Sequence, residues 1–159
     1  MTTTAKPLAH IILLDAALLG VACLVPAVSH LLALPLYMLN PMMALLLAAI
    51  LLGRDWRNAL LMAVLLPAVS YLLVGMPTAP KMFCMMAELA TVVVAFHWLN
   101  RRLPALPAVL TAAVAGKVIY YTLKAIVIAP ATLVGTEWTV QLLAVMLWGG
   151  LFALLYKKG

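Results

Sequence analysis

Four ionisable side chains lie inside long apolar runs of this sequence: Asp15, Glu88, Lys117 and Lys124. A charge in such surroundings is costly, so it faces a protein interior, where it pairs or meets a ligand. Lys117, Tyr120, Tyr121 and Lys124 recur at i, i+3, i+4 and i+7, which puts two cations and two phenols on one helical stripe. Lys81, Cys84, Met85 and Glu88 repeat that spacing. The chemistry open to these groups is ion pairing, hydrogen bonding and stacking. No nucleophile stands beside a base, and no GxSxG, HExxH, Walker or paired-carboxylate motif occurs, so the expectation is a protein that is not an enzyme.

Helical rise sets approximate depths for these groups. At 1.5 Å per residue, Glu88 lies about 10 Å below Lys81, and Lys124 about 9 Å below Pro130. The two therefore share a depth, and a structural pair between Glu88 and Lys124 is one expectation. The other is a ligand pocket lined by both stripes, with Tyr120, Tyr121 and Trp138 as its walls. Two cations against one anion leave a lysine for an anionic ligand. If Asp15 instead neutralises Lys117, the pocket is neutral and that argument lapses.

The composition settles the solvent. Of 159 residues, 68% are apolar and 9% are charged, against about 45–50% and about 25% in soluble domains. These proportions exclude a soluble enzyme, a nucleic-acid-binding domain and a disordered segment. The net charge of +6 is not gathered on a wetted face, so no nucleic-acid partner is expected. The chain reads as a single all-α integral membrane domain over 1–159, lying in the lipid bilayer. Cys23 and Cys84 show no paired spacing, His10, His30 and His97 are scattered, and neither a metal site nor a cofactor is expected. The first apolar run carries Asp15 and lacks a clean cleavage site, so it reads as a first span and not as a signal peptide.

A crossing helix needs about 20 apolar residues. Proline, glycine and charge punctuation predict six spans, at about 8–25, 41–52, 56–74, 81–99, 104–128 and 138–156. The second is short, and borrows from 32–39 or tilts. With the N-terminus inside, seven of the ten basic residues fall on one side: Lys6, Arg54, Arg57, Arg101, Arg102, Lys157 and Lys158. Basic excess in short loops marks the cytoplasmic side, so both termini are expected there. Trp56, Trp98 and Tyr156 then sit near the inner boundary and Trp138 near the outer one. The inner connections are minimal, whereas the outer ones (26–40, 75–80 and 130–137) are longer, semi-apolar and rich in breakers. They suit covers over a pocket open to the outside, or connectors resting on the bundle. Ala16/Gly20, Ala44/Ala48, Ala59/Ala63 and Ala112/Gly116 have small-residue spacing that permits close helix approach.

Several stretches resemble a known family. Leu24-Val25-Pro26-Ala27-Val28-Ser29-His30 with Leu39-Asn40-Pro41-Met42, and Gly75-Met76-Pro77 followed by Met85-Met86-Ala87-Glu88-Leu89-Ala90, look similar to its first outer loop and its third-loop/fourth-helix region. The family is the substrate-binding S components of energy-coupling factor (ECF) vitamin transporters, and the resemblance covers nearly the whole chain. It implies a six-span bundle in a prokaryotic cytoplasmic (inner) membrane that captures a vitamin-like micronutrient under outer loops 1, 3 and 5. It also implies docking, through small residues of the first helix, on a membrane scaffold subunit driven by two ATPase subunits. The family's Ala-xxx-Ala docking motif is matched here by Ala16-xxx-Gly20, with Ala5-xxx-Ala9 earlier. The substrate-binding positions implied are Asn40, Glu88, Lys117, Tyr120, Tyr121, Lys124 and Trp138. A cobalamin-type ligand would give Cys84 a role, an aromatic vitamin would use Trp138 and the tyrosines, and a carboxylate-bearing one the lysines. The alternative is a non-catalytic six-span membrane scaffold resembling the shape-determining protein MreD, in which Glu88 and Lys124 are a structural pair.

Overall fold

The computed structural model describes residues 8–31, 36–53, 55–128 and 137–156, without the side chains of Leu8, His30, Leu36, Tyr37, Glu137 and Trp138. Lys6, Arg54, Lys157, Lys158, Ala5 and most of the 130–137 connection therefore lie outside the described residues. The described chain is all-helical. Its elements are α1 (Leu8–Leu31), a 3-10 turn (Leu36–Leu39), α2 (Pro41–Gly53), α3 (Trp56–Val74), α4 (Ala79–Leu99), α5 (Ala105–Val127) and α6 (Glu137–Leu155).

Four of these helices, α1, α3, α4 and α5, are long and apolar enough to cross a membrane. The protein is a multi-pass, membrane-embedded helical bundle. Large apolar side chains on its outside, such as Leu13, Leu72, Ile126 and Leu154, are exposed because lipid is the solvent for that surface. With 13 residues, α2 spans about 20 Å, short of the roughly 30 Å hydrocarbon core. The sequence places the end of the first span at Val25, but α1 continues through Pro26 to Leu31. Proline removes one internal hydrogen bond without ending the helix.

Local signals account for the helix ends. The Asp55 side chain accepts from the Arg57 backbone N–H at 3.0 Å and caps α3. Gly75, at φ 75°, closes the same helix by donating to the Tyr71 carbonyl at 2.9 Å. Asn40, at φ 51°, turns the chain into α2, and its carbonyl accepts from Met43 and Ala44. Asparagine tolerates this left-handed backbone better than any branched residue. Pro41 follows at the first helical position, where its missing N–H is no loss.

Helices α4 and α5 form the most extensive contact in the bundle, and α3 packs on α4. Gly116 permits the α4–α5 approach. A Cβ there would stand 2.6 Å from Val92 Cγ2 and 3.0 Å from the Glu88 carbonyl oxygen. The Ala112/Gly116 spacing is thus a genuine helix contact: Ala112 and Ala113 are also buried in the same core. Ala16 and Gly20 have the opposite character. Both are exposed, and a Cβ on Gly20 would meet nothing within 4 Å.

Candidate functional site

The close α4–α5 contact brings the two polar stripes face to face. Glu88 is 3% exposed and Lys117 9%. Lys117 Nζ stands 2.8 Å from Glu88 Oε1. At this distance the contact neutralises both buried charges. Lys117 Nζ donates to Gln141 Oε1 at 2.8 Å. It also lies 5.4 Å from the centre of the Tyr120 ring, within cation–π range.

The ion pair shown differs from the Glu88–Lys124 pair that the depth estimate suggests, and from an Asp15–Lys117 pair. The helix ends explain the first difference. Glu88 lies nine residues inside α4, which starts at Ala79, and Lys117 ten residues inside α5, which ends at Val127. These offsets correspond to about 13.5 and 15 Å, whereas Lys124 is only about 4.5 Å from the same end. Asp15 is engaged elsewhere: its Oδ1 accepts from Asn58 Nδ2 at 3.0 Å, between α1 and α3.

A cavity of about 630 Å³ opens above the pair, at the end of the bundle where α3 ends and α4 begins. Glu88, Lys117, Tyr120 and Tyr121 line it from α4 and α5. Asn40 enters from the turn before α2, and Gln141 from α6. The two tyrosine rings stand edge to face, with centroids 5.2 Å apart. Of the seven binding positions expected from the sequence, the structure thus brings five together at this cavity. Lys124, one turn from the end of α5, is not among its lining residues. The Trp138 side chain lies outside the described residues.

Three features escape the sequence reading. Gln141 ties the site together by accepting from Lys117 and donating to the Met38 carbonyl at 3.2 Å, which binds α6 to the 3-10 turn. A lone amide inside an apolar helix was the available signal, because such a group is costly unless bonded. Next, Ser70 Oγ donates to the Met76 carbonyl at 2.8 Å and pins the 75–78 connection over the cavity. Last, Met38, Met42, Met76 and Met85 all line the cavity, giving it soft and adaptable apolar walls.

Asn40, which lines this cavity, has a buried Nδ2 without a hydrogen-bond partner among the described residues, whereas the buried Glu88 Oε1 has the Lys117 ammonium at 2.8 Å. Buried polar groups are normally bonded, so the Asn40 amide is an exception at this cavity. Among the described residues no three His, Cys, Asp or Glu side chains gather as metal ligands. Compared with known proteins, the chain matches no family model, no curated protein and no solved structure.

Proposed function

We propose that this protein binds a small molecule in the cavity beside Glu88 and Lys117 and serves as the substrate-specific subunit of a micronutrient transporter of the ECF type. The observation that carries the reading is the cavity itself. It has about 630 Å³ of space, apolar and aromatic walls, and a few polar side chains among them: Asn40, Glu88, Lys117 and Gln141. Small-molecule sites have this make-up: mostly apolar linings with a few convergent polar groups. In this reading the chain crosses a prokaryotic cytoplasmic membrane six times with both ends inside, and the cavity opens outward under the loops. The exposed face around Ala16 and Gly20 docks on the membrane scaffold subunit, and two ATPase subunits supply the energy.

The test is native mass spectrometry of the purified protein, with calorimetry against a panel of vitamins. A stoichiometric co-purified vitamin, or one bound tightly on addition, supports the reading. Repeated empty preparations that bind none of the panel sink it. Lys117→Ala and Glu88→Gln separate ligand contact from packing, since loss of affinity exceeds loss of thermal stability only for a ligand contact.

One observation favours a second reading, a non-catalytic membrane scaffold. The Glu88–Lys117 pair and the Gly116 contact join α4 and α5 as a structural clasp would. In that case the variants lower stability and leave no affinity to measure.

A further inference from the structure

The end of the bundle opposite the cavity, where α3 begins and α4 ends, carries a second grouping of charged and aromatic side chains. Helix α4 runs 21 residues, Ala79–Leu99. At about 31 Å it matches the roughly 30 Å hydrocarbon core, so the turn that follows it lies at the headgroup layer. The Trp56 ring stacks on His97 with centroids 5.0 Å apart, which joins the start of α3 to the end of α4. The exposed charges described at this end are Arg57, Arg101 and Arg102 against Asp55. Among the described residues no carboxylate forms an ion pair with these three guanidinium groups.

Two of the arginines are held in place by α4 itself. His97 with Arg101, and Trp98 with Arg102, are pairs four residues apart, which brings them together on a helical surface. Arg101 donates to His97 Nε2 at 2.8 Å. The Arg102 guanidinium carbon lies 5.0 Å from the centre of the Trp98 ring, within cation–π range. The backbone is fixed as well, since the N–H groups of Arg102 and Leu103 both donate to the Leu99 carbonyl, at 2.9 and 2.8 Å. These contacts occupy one face of one guanidinium and one nitrogen of the other, out of five N–H donors on each. A cation ordered in advance loses less entropy when it meets an anion. Trp98, Leu103 and Leu106 are exposed around the same turn and add apolar surface on the lipid side.

We propose that the turn from Asn100 to Leu103 is a binding site for an anionic phospholipid. The headgroup phosphate takes hydrogen bonds from the open edge of Arg102 above Trp98, because a guanidinium fork matches phosphate oxygens. Arg101 and Arg57 supply the surrounding positive field. The glycerol and the first acyl carbons lie along Trp98 and the exposed leucines, as an interfacial indole favours. A zwitterionic lipid offers the same phosphate but brings an ammonium towards three arginines and a single carboxylate, so the site selects net negative charge. It is independent of what the cavity holds.

Native mass spectrometry reads the selection on the full chain, delipidated in detergent and given equimolar phosphatidylglycerol and phosphatidylcholine with the same acyl chains. The wild type should retain phosphatidylglycerol at least about fivefold over phosphatidylcholine. Arg101→Gln/Arg102→Gln should lower that ratio about fivefold or more, the equivalent of about 1 kcal/mol per basic residue near a membrane surface. Lys81→Gln removes an exposed cation at the opposite end of α4 and should leave the ratio unchanged. Glycerol phosphate in millimolar excess should not displace the lipid, because it lacks the acyl chains. Equal retention of the two lipids by the wild type overturns the proposal. So does a preference that survives in the double variant, or one that falls as far in Lys81→Gln. Displacement by glycerol phosphate would make this a site for soluble phosphates and overturn a lipid as its occupant. Should the double variant fail to fold, Arg102→Gln alone decides by the same ratio.

Discussion

Lys117 of α5 stands 2.8 Å from Glu88 of α4, deep in the contact between the two helices. Neither group is tolerable alone in that position. Removing one partner of a buried pair leaves an uncompensated charge and typically costs about 3–5 kcal/mol, whereas removing both is often close to neutral. Glu88→Gln and Lys117→Met should each lower the unfolding temperature. The double variant should recover most of the loss, with a coupling of at least about 2 kcal/mol. Thermal unfolding of the four proteins in one detergent measures it, and additive losses would remove the pair from the account.

Gly116 stands where no side chain fits. A Cβ there would reach 2.6 Å from Val92 Cγ2 and 3.0 Å from the Glu88 carbonyl oxygen. Overpacking of this kind costs about 1–3 kcal/mol. Gly116→Ala should therefore destabilise the protein, while Gly20→Ala, with nothing within 4 Å, should not. Adding Val92→Ala should restore only part of the loss, because the backbone oxygen remains. A Gly116→Ala protein that unfolds with the wild type would show that the helices have room to spare.

Gln141 holds both Lys117 and the Met38 carbonyl. Gln141→Leu leaves that carbonyl without its donor and withdraws an acceptor from a buried ammonium. The expected loss is about 1–3 kcal/mol. Amide exchange over 36–44 should accelerate more than exchange in the core of α3. Uniform acceleration along the chain would mean that Gln141 supports global stability and does not anchor the turn.

The proposed sidedness rests on the basic residues. A C-terminal alkaline phosphatase fusion expressed in bacteria should be inactive, and a green fluorescent protein fusion at the same position fluorescent, because both ends are predicted to be cytoplasmic. An active phosphatase would invert the proposed topology and turn the cavity inward.

Composition and residue spacing alone identify the solvent and the polar stripe. With 9% charged residues, only a bilayer is compatible with so many apolar side chains. Helical spacing placed Lys117, Tyr120 and Tyr121 on one face, and all three line the cavity. The span read as 56–74 is the helix observed, since Asp55 and Gly75 are strong local stops. Periodicity reports a face, not an absolute depth, so it could not choose between Lys117 and Lys124 as the partner of Glu88. That choice depended on where α4 begins and α5 ends, and on how closely Gly116 lets them approach. Asn40, Gln141 and the four methionines became one site only when α2, α6 and the connection after α3 packed around that pair. Partnership between side chains far apart in sequence is set by packing and not by local pattern.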